Sequence, residues 1–246
     1  MTLTFVGPVL LRIDAGDPLV LLGAGHIGCQ ELVVNDRIRA VRDLKGKTVL
    51  VYAAENPGHV FLAIAMAHVG LDHRKDITLV TGPPAEALRM FEAGRIDAMV
   101  VSPPFAQELR ARKIGHVLID TARDRPWSQY FCCMVVSNRE FVRRHPIAAK
   151  RAIRAILKAD RICATEPEKA ARTIVDRGFT RSYDFALQTM KDVPYGRWRE
   201  YDPTDAVRFY ALRLHEAKMI KSTPQRILSQ GTDWRFLNEL RRELKG

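Results

Sequence analysis

No run of this 246-residue sequence approaches the roughly 18 apolar residues that a membrane-spanning helix requires. Met1-Thr2-Leu3-Thr4-Phe5-Val6 lacks the basic start of a secretion signal, and Asp14 and Asp17 come too early for its apolar core. Direct insertion into a membrane is therefore not expected. There is no G-x-S-x-G elbow and no H-E-x-x-H pair, which removes the α/β-hydrolase and zinc-protease readings. Internal repeats and low-complexity tracts are also missing. Cysteine is scarce, at four residues, with no C-x-x-C pair and no histidine spacing beside them that suggests zinc. Cys132-Cys133, inside the apolar run Tyr130 to Val136, reads as two small buried strand residues. Neither a metal nor a cofactor is expected.

Basic residues, by contrast, are in excess, and the net charge is +11. Such a charge suits nucleic acid, an anionic ligand or a solvated surface. The densest stretch, Arg139 to Arg161, carries Arg143, Arg144, Lys150, Arg151, Arg154, Lys158 and Arg161. They fall mostly opposite Ile147, Ile153, Ile156 and Leu157 on one helix, and no aromatics interleave with them as a single-strand-binding surface needs. A solvated helix face is expected, and no nucleic-acid partner.

The apolar pattern predicts an α/β protein. Thr48 to Tyr52, Ile77 to Val80, Ile96 to Val101 and Val117 to Ile119 read as short strands. Helices follow them, from near His59, from Pro83-Pro84 and over Phe105 to Arg112. Glycines at 70 and 94 close the first two. Strands alternating with helices argue for a largely parallel sheet. After Trp127 the grammar changes: one strand over Tyr130 to Val136, then helices over 139–144, 146–164, 167–177, 182–190, 203–217, 224–229 and 232–244. Two grammars suggest two lobes.

Three glycine-bearing stretches invite chemistry. Gly23-x-Gly25-x-x-Gly28 matches the dinucleotide pattern, but Cys29 to Val34 after it is extended rather than helical, and no acidic residue stands at the required place. Gly46-Lys47-Thr48 precedes a strand and has Val41 where a P-loop needs glycine. The third stretch is Glu55-Asn56-Pro57-Gly58-His59. It follows the carboxyl end of the Thr48 strand, as Ser102-Pro103-Pro104-Phe105 follows the Ile96 strand. Ligands of open α/β sheets bind at that edge. Asn56 and His59 offer hydrogen bonds, Gly58 admits close backbone approach, and Phe105 offers an apolar wall. Two ordinary loops would look much the same.

Several pieces occur in a telling order: Asp43-Leu44-Lys45-Gly46-Lys47-Thr48-Val49, Gly70-Leu71-Asp72, Pro83-Pro84-Ala85-Glu86-Ala87-Leu88, Gly94-Arg95-Ile96-Asp97-Ala98, Ser137-Asn138-Arg139-Glu140-Phe141 and Gly231-Thr232-Asp233-Trp234. In this the chain resembles solute-binding proteins of ABC importers in the nitrate, sulfonate and taurine group, which share a fold with thiamine-precursor proteins. The resemblance implies a two-lobed α/β fold of the periplasmic-binding-protein type II class. Residues 45–126 would form the second lobe, and 1–44 with 127–246 the first. It also implies an incomplete first lobe, because members begin with a signal peptide and further strand–helix units that are missing here.

On that resemblance the partners are a small polar ligand and the permease subunits of a periplasmic importer, and the protein is not an enzyme. Glu55, Asn56, Gly58 and His59 would supply polar contacts, and Pro103 and Phe105 a wall. His26 and Tyr130 would lie near the crossovers, with hinge closure about the strands near 31–34 and 130–136. Glu55 disfavours a purely anionic ligand, since a carboxylate facing an anion costs free energy. The alternative is a pyrimidine-precursor synthase on the same fold; its cysteine-rich iron motif is not matched by Cys132-Cys133 alone. A regulatory ligand sensor ranks last, as no DNA-binding or kinase segment is attached.

Overall fold

The computed structural model describes residues 1–244. The first apolar stretch divides: β1 (Thr2–Phe5) ends where α1 (Val6–Asp14) begins. Then come β2 (Leu19–Ala24), β3 (Glu31–Val34), β4 (Thr48–Val51), α2 (Pro57–His68), β5 (Thr78–Thr81) and α3 (Pro84–Glu92). Next are β6 (Ala98–Val101), α4 (Phe105–Ala111), β7 (His116–Asp120) and β8 (Cys133–Asn138). The rest is helical: α5 (Arg139–Arg144), α6 (Pro146–Thr165), α7 (Pro167–Asp176), α8 (Tyr183–Asp192), α9 (Pro203–Glu216), α10 (Pro224–Gly231) and α11 (Arg235–Glu243). Proline sits in the first turn of α6, α7, α9 and α10, where its missing N–H costs nothing.

Two sheets result. The first has the order β1-β8-β2 with antiparallel pairs, and the second β5-β4-β6-β3-β7. In the second, β5, β4 and β6 are parallel as the pattern predicts, whereas β3 runs against both β6 and β7. All four β3 residues are buried, because the strand lies inside the sheet. The chain thus enters the second sheet at Glu31, well before residue 45. It passes between the sheets twice, through 25–30 and back through 121–132.

These two crossings lie against each other. The Thr121 hydroxyl accepts the N–H groups of Cys29 at 3.1 Å and Gln30 at 2.9 Å and donates to the Gln30 carbonyl at 2.8 Å. Gly28 has φ +73°, and a Cβ there would stand 2.5 Å from the Ala122 Cα. Close approach of two backbones, not a pyrophosphate, is what this glycine serves.

Helix α2 occupies the middle of the molecule. Every residue from Gly58 to Met66 is buried, so the helix is apolar on all sides, as a helix enclosed by protein must be. Phe61 meets Trp127 edge to face at 5.1 Å, and Trp127 meets Phe209 of α9 at 5.6 Å. Most of the core, from Leu10 through Phe61 to Leu237, is one continuous apolar cluster joining both sheets.

Two expectations shift. The strand placed at Tyr130 to Val136 begins only at Cys133. Tyr130 instead ends a short 3-10 turn and stacks on Phe209, with ring centroids 4.2 Å apart. The basic stretch of α5 and α6 is paired as well as solvated: Arg143 and Arg144 bind Glu140, and Lys150 and Arg154 bind Glu239 and Glu243.

Candidate functional site

Two cavities of about 320 Å³ each meet at the loop Ser102-Pro103-Pro104. One lies over the carboxyl ends of β4 and β6 and is lined by Gln30, Tyr52, Asn56, Gly58, Val100 and Phe105, among others. The other lies between the crossing and the C-terminal helices, against His26, Cys29, Phe179, Thr189, Met190 and Tyr195. Parallel strands end together, so the βα loops after β4 and β6 are brought to one rim. The walls are largely apolar, with Gln30, Asn56, Ser102 and Thr189 as neutral polar groups; among the described residues no Arg or Lys lines either cavity, and His26 is the one basic side chain on the second.

The residues expected to bind ligand separate into groups. Asn56, Gly58, Pro103 and Phe105 share the first cavity, and His26 lines the second. Glu55 and His59 do not join them: both line a third cavity on another side, with Asp14, His73 and Lys221. The reason is local. Asn56 caps α2, its Oδ1 accepting the His59 N–H at 2.8 Å, and the chain turns sharply through Glu55, whose φ is 58°. The His59 ring then lies under the Glu55 N–H, which donates to Nδ1 at 2.9 Å, and packs on His73 with centroids 5.0 Å apart. Glu55 therefore does not face the cleft, and its carboxylate does not exclude anions from it. Tyr130, held on Phe209, lines neither cleft cavity.

At the floor of the second cavity four donors converge. His26 Nδ1, and the sulfurs of Cys29, Cys132 and Cys133, all lie within 4.8 Å of one another. Cys29 Sγ stands 2.7 Å from Cys132 Sγ and 3.3 Å from Cys133 Sγ, and 3.6 Å from His26 Nδ1. The His26 carbonyl accepts the N–H groups of Cys132 at 3.2 Å and Cys133 at 3.3 Å, which ties the two crossings at this point. Burial opposes charge on His26, but the sulfur charges of Cys29 and Cys133 outweigh it and raise the ring well above an ordinary histidine. Hydrogen bonds from Cys132 and Cys29 hold the Cys133 thiol well below an ordinary cysteine. The thiols of Cys29 and Cys132 are raised instead, which leaves Cys133 the most acidic of the three.

A polar network closes the same side. Asp192 at the end of α8 accepts from Gln107 of α4, Gln188, Arg110 and Arg123, and Arg110 also reaches Glu31 of β3 at 2.5 Å. Burial pushes the Glu31 carboxyl up to about 7, against the pull of Arg110.

A profile of the NMT1-like family matches residues 28–176, more than half of the sequence. The chain belongs to the NMT1-like family. Among solved structures it is similar to the alkanesulfonate-binding protein SsuA from Xanthomonas axonopodis pv. citri, at 18% identity and TM-score 0.69, over 89% of this chain and 76% of that one. It is also similar to the periplasmic nitrate-binding protein NrtA from Synechocystis PCC 6803, at 12% identity and TM-score 0.79, over 98% and 74%. The desulfurization enzyme DSZB is similar at 16% identity and TM-score 0.66, over 99% and 85%. No curated protein matches in sequence. These likenesses establish the periplasmic-binding-protein type II fold for this NMT1-like protein, and the fold hosts both binding proteins and an enzyme.

Sequence reasoning missed Gln30, Tyr52, Ser102, Thr189 and Tyr195 in the cleft of this NMT1-like protein. Ser102 stood in a loop already singled out. Thr189 and Tyr195 come from a helical region without a motif. His26-x-x-Cys29 was a usable ligand spacing, but its partners lie over a hundred residues away, and only the second crossing brings them near.

Proposed function

We propose that this NMT1-like protein is the solute-binding component of an ABC importer. It captures a small molecule between the two sheets and presents it to a permease, with no bond made or broken. The observation that carries this reading is the pair of adjoining cavities at the Ser102-Pro103-Pro104 loop, on a fold shared with sulfonate- and nitrate-binding proteins. Pro103 and Phe105 serve as the wall, and Asn56, Gly58, Gln30 and Ser102 as the polar side. Closure turns on the crossings at 25–30 and 121–132, between the strands rather than within them.

The lining favours an organic ligand with an apolar body and a polar edge, such as an aminopyrimidine or another planar heterocycle, over nitrate. Walls of proline, phenylalanine, valine and methionine suit a ring, and neutral amides and hydroxyls suit its polar edge. An inorganic anion would need a cation or several converging N–H groups, and among the described residues no Arg, Lys or His lines the first cavity. Thermal-shift and calorimetric screening of nitrate, taurine, alkanesulfonates and aminopyrimidines tests both levels. Stabilisation by the heterocycles above the anions supports the reading. Strongest binding of nitrate overturns the ligand class, and binding of none of the panel overturns the solute-binding role.

A further inference from the structure

We infer that His26, Cys29, Cys132 and Cys133 form a tetrahedral site for a thiophilic divalent cation, zinc in the first instance, at the floor of the cleft. The donor set is three thiols and one imidazole, a combination that selects borderline-soft ions over magnesium or calcium. An ion bonded at about 2.3 Å to sulfur and about 2.0 Å to nitrogen places its ligands roughly 3.6 to 3.8 Å apart. His26 Nδ1 is 3.6 Å from Cys29 Sγ and 3.8 Å from Cys132 Sγ, and Cys29 Sγ is 3.3 Å from Cys133 Sγ. Cys29 Sγ must part from Cys132 Sγ, now at 2.7 Å, by about 1 Å and from Cys133 Sγ, at 3.3 Å, by about 0.5 Å.

The surroundings hold these donors in place. The backbone of Cys29 is pinned by Thr121, and those of Cys132 and Cys133 by the His26 carbonyl. A metal-bound histidine usually gives its second N–H to a carboxylate. Asp160 of α6 is 4% exposed, its Oδ2 has no hydrogen-bond partner, and it lies near enough to His26 for their charges to interact. His26 and Cys29 line the cleft cavity, which gives the ion a path in. Binding takes up one aquated divalent ion, releases the protons still on the three thiols and on the imidazole Nδ1, and moves no electron. Because the ligands come from the first crossing (His26, Cys29), the end of the second (Cys132) and the start of β8 (Cys133), the ion would staple the sheets together at their junction.

The test uses the full chain, purified anaerobically with reductant. Elemental analysis after zinc loading and gel filtration should find one zinc per chain. Titration with cobalt should give sulfur-to-metal charge-transfer bands and the intense visible bands of tetrahedral cobalt, a readout that needs no variant. Cys29→Ser and His26→Ala should each weaken zinc binding by about tenfold or more, while Cys163→Ser, outside the cluster, leaves it unchanged. Weak octahedral cobalt spectra overturn the proposal. So does zinc binding indifferent to Cys29→Ser, or a Cys29–Cys132 disulfide that persists under reductant.

Discussion

Asp192, at the end of α8, accepts a hydrogen bond from Gln107 of α4 at 3.1 Å, so a C-terminal helix is fastened to the edge of the second sheet. Arg110 and Arg123 bind the same carboxylate. Asp192→Ala strands the largely buried Arg110 beside Gln107 and leaves Glu31 as its main partner. Because Glu31 still pairs with Arg110, the loss should be on the order of 1–2 kcal/mol, and the urea midpoint should fall accordingly. Asp192→Asn, which keeps an acceptor for Gln107, should cost less. Equal stability of Asp192→Ala and the unmodified protein would remove the fastening role.

Asn56 has two ends with two tasks. Its Oδ1 caps α2, and its amide nitrogen remains for a ligand in the cavity that Asn56 lines. Asn56→Ala should lose about 1 kcal/mol of stability with the cap. Asn56→Asp keeps the cap and should leave stability nearly unchanged, yet weaken the tightest-binding compound of the panel about tenfold. Calorimetry and urea denaturation on the two variants separate the tasks.

The substitution Gly28→Ala meets two obstacles at once, a φ of +73° and the Ala122 backbone. A destabilisation of about 2 kcal/mol or more is expected. Thermal denaturation measures it, and a change below about 0.5 kcal/mol would mean that the crossings separate easily.

Acid should weaken the protein through His73. Burial, reinforced by the charge of His59 and opposed by Asp72, lowers this histidine from 6.5 to about 4. The unfolded chain binds the proton from about pH 6.5 downward, and the folded chain only near 4. Stability is therefore fully present above 6.5 and declines as the pH falls toward 4, by on the order of 2 kcal/mol. Urea midpoints between pH 7 and 4 at constant salt should follow this slope, and His73→Phe should flatten it.

The local grammar of this chain was legible in its residues. Prolines at 146, 167, 203 and 224 start helices where they were expected, since a fixed φ and a missing N–H suit a first turn in any context. The apolar run at Thr48 became a strand inside a sheet, and the rim formed by the loops after β4 and β6 followed from strand direction alone. The family order of short motifs carried the fold class.

Tertiary structure decided the rest. Which side of a capped helix faces the cleft depends on a single backbone turn at Glu55, and that turn sent His59 away from Asn56. Tyr130 joined the core because Phe209, far along the chain, offered it a stacking face. Among the four cysteines and seven histidines only His26-x-x-Cys29 has a ligand-like spacing, and it is half of a site. His26 and Cys29 met Cys132 and Cys133 only because the chain crosses between its sheets twice and Gly28 lets the crossings touch. Propensity and pattern act over a few residues, and a site built from two crossings is a property of the closed chain.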